Sequence, residues 1–509
     1  MGKKSEQKKK ITPGAVCLIA ALVLLYSPFF NIIAIAGYNG DTMIQTKIGL
    51  DMIAQKRLIL TDIYSWHEGL NWYPHEEGWY FLLGAAYKIF GLFGIIGVAA
   101  AINYAIAGVA FRKDYKEGIH PLIILLNAAI ARFLAFPNYV ARPGLISMIV
   151  IAFFLLIMLS EKPVLFKAVS FITGSFIISW MHGGMIPFFY LIMLILIVLE
   201  LVYKNFRDSL FYLGALLIGF ATSLLNPIGF KIWEFGLIQS KSTDIWELVE
   251  EWNPKHFSIP EITLILLLLL GFAVNDKMRK FDKATVTKMA LLCMFIIISC
   301  RYCRFMYYVA VMVILFGAEQ YSCLIDWINT NVLKIKKENI HISDFSYYLI
   351  TAFAICFAIF NIVTSVTSYF PTNSMSDISA LSAFDEDAAK FIKDKGYSRI
   401  YNSFNTGAWL TFYDVKVHID NRIDPYLAEF SGEDHIRGKM QIADLDDMDE
   451  FVEEYHPDAV LIELDPDYAS YLIEDYEGSG RYKLVYDNTL TSTYDPDITI
   501  RWLVFEVIY

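Results

Sequence analysis

Long apolar segments recur along most of this chain, and they constrain its fold more than any other feature. Runs of roughly 17 to 25 apolar residues are long enough to cross the ~30 Å hydrocarbon core of a bilayer as helices. Only 19% of the side chains are charged, whereas a soluble domain is nearer to about a quarter. The sequence therefore predicts a polytopic α-helical membrane protein.

The apolar segments predict about 11 membrane spans. They lie at residues 14–36, 94–112, 120–136, 143–160, 164–181, 185–203, 208–226, 258–275, 284–300, 304–322 and 345–370. Residues 78–93 are also apolar, but they are few and include Lys88. We expect them to form a helix at the membrane interface, because an extra span would invert every later loop against the distribution of basic residues.

Lysine and arginine are concentrated in alternate loops, which predicts the orientation of the chain in the cell membrane. The basic N-terminus and the loops near residues 112–116, 162–167, 204–207, 277–283 and 334–337 are expected on the cytoplasmic side. Loops 37–77, 137–142, 182–184, 227–257 and 301–303 are then expected on the outer side. An odd number of spans places the C-terminal domain outside the cell as well.

The net charge predicts two domains in different surroundings. Residues 371–509 carry 29 acidic and 11 basic side chains, so their net charge is −18, while the rest of the −11 chain is at +7. We therefore divide the chain into a membrane domain, residues 1–370, and an extracytoplasmic domain, residues 371–509. Nucleic acid is excluded as a partner, because the acidic domain would repel its phosphates.

Helical and strand patterns alternate in the acidic domain, which predicts a soluble α/β fold. Helices are expected at residues 384–396, 446–456 and 467–476. Strands are expected at residues 399–404, 409–413, 415–420, 458–464, 482–487 and 500–508.

The first outer loop, residues 37–77, holds more acid and imidazole than a connection between two spans requires. Its ionisable members include Asp41, Asp51, Asp62, Glu68, Glu76, His67 and His75. We interpret it as an active-site loop at the membrane surface.

Asp41 and Asp62 are the candidate catalytic residues of this loop. A partly desolvated carboxylate can act as a general base, although Asp41 could instead cap a helix that starts at Thr42. Asp62 with His75 and Glu76 could orient a donor or bind a divalent cation, or could only pin the loop by hydrogen bonds. One histidine and scattered carboxylates are too few to assign metal ligands.

Cationic and imidazole side chains stand at the outer ends of other spans. Arg142, Arg301 and Arg304 can each bind phosphate oxygens in a bidentate way, or they can extend to lipid headgroups. His182 precedes two glycines at a span end and could be structural. In the C-terminal domain, Asp420 and Arg422 fall on one face of a strand end, where they would form an internal ion pair or contact an acceptor.

The order of these motifs resembles that of the GT-C class of integral-membrane glycosyltransferases, and most of all the bacterial mannosyltransferase-related proteins. The resemblance covers most of the chain and rests on short motifs: Asp41, Asp62, His75-Glu76, Arg142-Pro143, His182-Gly183-Gly184, Asn226-Pro227, Glu251-Trp252, Asp420-Asn421-Arg422 and Tyr426. Two positions depart from the family pattern. Glu77 stands where tryptophan is usual, with Trp79 displaced, and Asn421 replaces a glycine.

The resemblance implies a polyprenyl-phosphate sugar as donor, used on the outer face, and a glycan, lipid or protein as acceptor. It implies that Asp41 takes the proton of the acceptor hydroxyl while the anomeric configuration inverts. The departing lipid phosphate needs positive charge, for which Arg142, Arg301 and Arg304 are the candidates. Substrate contacts are assigned to His75, Glu76, His182, Glu251, Trp252, Asp420 and Arg422. Members of the class differ in their use of a divalent cation, so no cofactor is assigned.

Two other functions are compatible with the sequence. One is a non-catalytic assembly or scaffold protein of an envelope-glycan pathway, and the other is a transporter of a lipid-linked glycan. A transporter is expected to carry ionisable residues deep within several spans. Here such residues gather at the outer ends, with Arg132 as the main exception, and this favours chemistry at the membrane surface.

Overall fold

The structure is a computed structural model that describes residues 40–135, 141–241, 254–334, 383–493 and 497–509, with a few single positions between 349 and 359. The longer helices of the membrane part are α1 (Gly40–Gln55), α2 (Glu77–Phe90), α3 (Leu92–Lys116), α4 (Pro121–Ala135), α5 (Gly144–Met158), α6 (Val164–Met181), α7 (Ile186–Val202), α8 (Phe206–Ser223), α9 (Lys231–Lys241), α10 (Ile259–Val274), α11 (Lys283–Arg301) and α12 (Met306–Asn331). Those of the C-terminal part are α13 (Glu386–Lys395), α14 (Phe404–Phe412), α15 (Leu445–Tyr455) and α16 (Pro466–Gly478). The strands are β1 (Ile400–Tyr401), β2 (Ala459–Leu464), β3 (Tyr482–Thr491) and β4 (Thr499–Val507). Short helical turns lie at Gly183–Met185, Asp276–Arg279, Cys303–Phe305, Asp424–Tyr426 and Ala428–Ser431.

Within the described ranges, 5 helices are long and apolar enough to cross a membrane. They are α3, α6 and α11, together with α7 and α12, each of which is counted with the short turn that precedes it. The apolar helices α4, α5 and α10 are shorter. Each predicted span between residues 94 and 322 coincides with one helix, which makes this a multi-pass membrane protein, but the predicted total of about 11 spans is not confirmed. The predicted span 14–36, and most of 345–370 with the predicted domain boundary, lie outside the described residues.

Helices α1 and α2 pack with their backbones in direct contact. A Cβ atom on Gly49 would lie 1.9 Å from the carbonyl oxygen of Tyr80, and one on Gly84 would lie 2.3 Å from the carbonyl carbon of Gly49. Only glycine at both positions allows this approach. Gly91, with φ of 62°, then separates α2 from α3, so residues 78–90 form a short helix of their own. The position of this helix at the membrane interface stays a prediction.

Two of the basic loops that the sequence predicts on the cytoplasmic side are in direct contact. The hydroxyl of Tyr203 donates a hydrogen bond to the carbonyl of Phe281 at 2.7 Å, which joins the loops that follow α7 and α10. Lys277 and Lys288 both contact the carboxylate of Glu319, at 3.0 and 2.6 Å. Their charges are therefore paired with protein carboxylates.

The C-terminal part forms a four-stranded sheet in the order β1-β2-β4-β3. β1 pairs with β2 in parallel, whereas the other neighbours are antiparallel. The helix α13 begins after Asp385, whose carboxylate accepts two backbone N–H groups, and it ends at Gly396 in the left-handed conformation. These are the acidic start and glycine stop expected from the sequence.

The strands predicted at residues 409–413 and 415–420 are wrong. Residues 404–412 form the helix α14, and residues 415–420 contribute only one isolated bridge, between Val417 and Ser65. The residues from Thr406 to Thr411 are all buried, so this helix has no polar face. A helix that is buried on every side lacks the amphipathic period by which helices are recognised, and its aromatic residues favoured a strand.

The loop between α1 and α2 packs against the C-terminal part. The parallel bridge joins Ser65 to Val417, and the indole N–H of Trp66 donates to the carbonyl of Ile400 at 2.9 Å. The amide of Asn71 donates to the carbonyl of Phe430 at 3.1 Å. The first loop is thus held in place by a domain more than three hundred residues later in the sequence.

Candidate active site at the start of the first helix

Asp41 and Arg142 form the ion pair at the centre of the site. Asp41 lies in the first turn of α1, where the helix dipole favours a carboxylate. Its Oδ2 is 3.1 Å from Nη2 of Arg142, and the two side chains are 33% and 28% exposed. Next to them, the hydroxyl of Thr42 donates to the carbonyl of Ala141 at 3.2 Å. This bond fixes the start of α1 against the residues that precede α5.

A buried hydrogen-bonded cluster lies one helical turn beyond Asp41. The side-chain N–H of Gln45 donates to Oε2 of Glu76 at 2.8 Å, and its carbonyl accepts the indole N–H of Trp79 at 2.9 Å. Residues four apart on a helix share a face, so this cluster fixes the face of α1 that carries Asp41. Gln45 was not identified from the sequence, because its partners lie 31 and 34 residues away.

Glu76 is buried in a mostly negative environment. Burial, followed by the negative charge of Asp41, raises the pKa of its carboxyl to about 8, and the positive charge of Arg304 opposes this rise. The structure therefore brings Glu76, Asp41 and Arg304 into one electrostatic cluster.

His75 is neutral and packed beside Glu76. Its Nδ1 lies 2.8 Å from the carbonyl oxygen of Tyr73 and so carries the hydrogen, which leaves Nε2 unprotonated, 3.6 Å from Oε1 of Glu76. The ring stacks on Phe235 with centroids 3.8 Å apart. Burial, with a smaller contribution from the charge of Arg304, lowers the pKa of His75 to about 4 against the effect of the hydrogen bond to Tyr73.

The other predicted outer loops converge on the same place. The backbone N–H of Gly183 donates to the carbonyl of His75 at 2.8 Å, and Nδ1 of His182 lies 2.7 Å from the hydroxyl of Ser147. Arg304 lies in the turn Cys303–Phe305 that precedes α12. Arg301 is the exposed last residue of α11, with its guanidinium 5.7 Å from the ring of Tyr302.

Asp62, Asp420 and Arg422 form a separate buried cluster between the first loop and the C-terminal part. Nη2 of Arg422 lies 2.6 Å from Asp62 and 2.7 Å from Asp420, and the three side chains are at most 4% exposed. Asp62 also accepts hydrogen bonds from the backbone N–H groups of Tyr64 and Ser65. Burial raises the pKa of Asp62, but the charge of Arg422 and these hydrogen bonds outweigh it and leave the pKa lowered. This is the internal ion pair that the sequence offered as one of two alternatives for Asp420 and Arg422.

Asp424 is a further buried acid that the sequence did not reveal. It follows Ile423, whose φ of 45° is strained for a β-branched residue. Burial raises the pKa of Asp424 well above its usual value, against the effect of Arg422. Asp424 lies near enough to Arg422 and to Glu76 to interact electrostatically with each when it is ionised.

Glu251 and Trp252 lie outside the described residues. In the part of the chain that the structure describes, no group of three or more histidine, cysteine, aspartate or glutamate side chains could hold a metal ion.

No protein-family model matches the sequence, and no curated protein matches it. Solved structures of the oligosaccharyltransferase of Archaeoglobus fulgidus are similar to the chain. The apo form and a form tethered to an acceptor peptide with the NVT sequon are both 12% identical, with a TM-score of 0.49. The matches cover 94% and 93% of this chain and 73% and 72% of theirs. The complex of this enzyme, AglB, with an inhibitory peptide and a dolichol-phosphate is 11% identical, with a TM-score of 0.44, and covers 96% and 74%.

Proposed function

We propose that this protein transfers a sugar from a polyprenyl-phosphate-linked donor to a hydroxyl group of a glycan, lipid or protein on the outer face of the membrane. The single observation that carries this proposal is the partly exposed pair of Asp41 and Arg142, 3.1 Å apart. A carboxylate beside a guanidinium where apolar helices begin supports the roles of general base and phosphate-binding cation.

The ion pair suggests how donor binding would activate the base. A carboxylate that is neutralised by a guanidinium is a poor proton acceptor. The phosphate of the donor offers Arg142 a second, bidentate partner, and the pair is exposed enough for such an exchange. As Arg142 turns to the phosphate, Asp41 loses its countercharge and becomes the stronger base. Donor binding would therefore precede proton removal from the acceptor.

The reaction is a single displacement with inversion at the anomeric carbon. The acceptor oxygen forms a bond to that carbon, its proton passes to Asp41, and the bond from the anomeric carbon to the phosphate oxygen breaks. The lipid phosphate leaves with its electron pair. Arg142 and Arg304 would stabilise the charge that develops on it.

The test is the variant Asp41→Asn, compared with Asp51→Asn in the same helix. Asp51 is paired with Lys47 at 2.9 Å and belongs to neither cluster of the site. The full chain, reconstituted in liposomes, is supplied with a panel of polyprenyl-phosphate sugars and with envelope glycans and lipids as acceptors. Loss of a general base costs about 10²- to 10⁴-fold in rate, so Asp41→Asn should lose transfer by at least about a hundredfold while still binding polyprenyl phosphate.

Asp51→Asn should transfer sugar at close to the wild-type rate. Turnover of Asp41→Asn within a few-fold of wild type would show that Asp41 is not the base. A wild-type protein that binds polyprenyl phosphate but transfers no sugar would identify the non-catalytic assembly role instead.

A further inference from the structure

Glu76 has a role that differs from the substrate contact suggested by its motif. We propose that Glu76 is a positioning residue that works as an uncharged carboxyl group, so that it adds no second negative charge to that of Asp41 at the donor phosphate. This inference rests on the proposed function and concerns how the protonation of Glu76 regulates the same site.

The contacts of Glu76 fit a neutral group. The residue is 7% exposed. Its Oε2 accepts the amide hydrogen of Gln45 at 2.8 Å, and its Oε1 is 3.6 Å from the unprotonated Nε2 of His75. If Oε1 carries a proton, that proton points towards the lone pair on Nε2 of His75, which is favourable. If Glu76 is ionised, the negative Oε1 and the same lone pair repel each other. Its contacts to Gln45 and His75 are therefore better satisfied when the carboxyl is protonated.

Burial is the first cause that favours the protonated state of Glu76, and the negative charge of Asp41 in α1 is the second. Arg304 of the turn Cys303–Phe305 opposes them. Asp424 of the turn Asp424–Tyr426 and Glu77 of α2 also lie near Glu76, but burial raises the pKa of both carboxyls, so they add little negative charge at pH 7. With a pKa of about 8, roughly nine molecules in ten carry the proton at pH 7.

The protonation state of Glu76 matters because its hydrogen-bond partner Gln45 lies on the same face of α1 as Asp41. A second carboxylate beside Asp41 would compete with the donor phosphate for Arg142 and Arg304 and would repel it directly. The protonated form still holds Gln45, and through it the face of α1 that presents Asp41. Transfer should therefore decline as the pH rises through about 8 and Glu76 loses its proton.

The experiment measures the transfer rate against pH for wild type, Glu76→Gln and Glu77→Gln, with the reconstituted full chain and the donor that the panel identifies. The wild type should be about tenfold slower at pH 9 than at pH 7. Glu76→Gln cannot ionise, so the ratio of its own rates at pH 9 and pH 7 should be close to one. Glu77→Gln is the matched control, because Glu77 is adjacent and 1% exposed, and burial raises its pKa to about 8 as well. It should keep the wild-type ratio.

A wild-type rate that does not fall between pH 7 and pH 9 would overturn the inference, whether or not the variants fold. A decline that persists in Glu76→Gln, or that disappears in Glu77→Gln, would also overturn it, while leaving the proposed function in place. Absence of transfer by the wild type at every pH would overturn the proposed function itself.

Discussion

Replacing Arg422 with methionine is expected to destabilise the protein by about 3–5 kcal/mol. The guanidinium is the shared partner of Asp62 and Asp420, at 2.6 and 2.7 Å, and all three side chains are at most 4% exposed. Methionine keeps much of the packing volume but leaves two carboxylates facing each other without a countercharge. The expected cost is that of breaking a buried ion pair from one side.

The free energy of unfolding is measured with the full chain in detergent, from denaturant titrations followed by tryptophan fluorescence. Arg501→Met is the control, because Arg501 pairs with Asp487 at 2.7 Å, 23% and 35% exposed. An exposed pair of this kind contributes about 0–1 kcal/mol. Adding Asp62→Asn and Asp420→Asn to Arg422→Met should recover most of the loss, since the uncompensated charges are then removed.

The reasoning would be refuted if Arg422→Met cost no more than Arg501→Met, or if the triple variant were less stable than Arg422→Met. The same variants separate structure from chemistry. If Asp62 and Arg422 only join the first loop to the C-terminal part, the triple variant should regain transfer activity together with stability. A stable but inactive triple variant would indicate that Asp62 takes part in the reaction.

Two further predictions concern packing and pH. Gly49→Ala should lower the free energy of unfolding by about 1–3 kcal/mol, because overpacking forces the backbones of α1 and α2 apart. Gly108→Ala is the control and should not destabilise the protein, since nothing lies within 4 Å of the added carbon. Equal unfolding free energies for the two variants would contradict the close contact. Burial lowers the pKa of His67 to about 3, and its Nε2 lies 3.0 Å from Nδ1 of His418. The stabilisation from neutral His67 is complete above pH ~6.5 and decreases as the pH falls towards 3, by about 2 kcal/mol at pH 5. The unfolding free energy of His67→Gln should depend less on pH over this interval, and an identical pH dependence would disprove the prediction.

The distribution of lysine and arginine predicts that Asp41, Arg142, His182 and Arg304 lie on one side of the membrane, and this orientation stays a prediction. The described parts of the loops that carry them lie together in the structure. Length and apolarity located the helices between them. Both signals are local in the sequence, and both persist in the folded chain because the bilayer imposes them on every span.

The roles of individual acids could not be predicted in the same way. Asp62 and Asp41 look alike in the sequence, but their partners differ in burial. Asp62 contacts the buried Arg422 of the C-terminal part, whereas Asp41 contacts the partly exposed Arg142. The role of Gln45 could not be predicted from the sequence, because it depends on hydrogen bonds to Glu76 and Trp79, which are distant in the sequence. Helix α14 was mistaken for a strand because burial on all sides removes the period that identifies a helix.

The attachment of Trp66 to Ile400 has a consequence for how the protein is made. The two residues are 334 positions apart, and a ribosome adds roughly 5–20 residues per second. The first loop is therefore synthesised roughly 17–70 seconds before the surface that receives it. Until then Asp62 has no Arg422 to pair with, so the buried cluster that joins the loop to the C-terminal part can assemble only after residue 422 has been added.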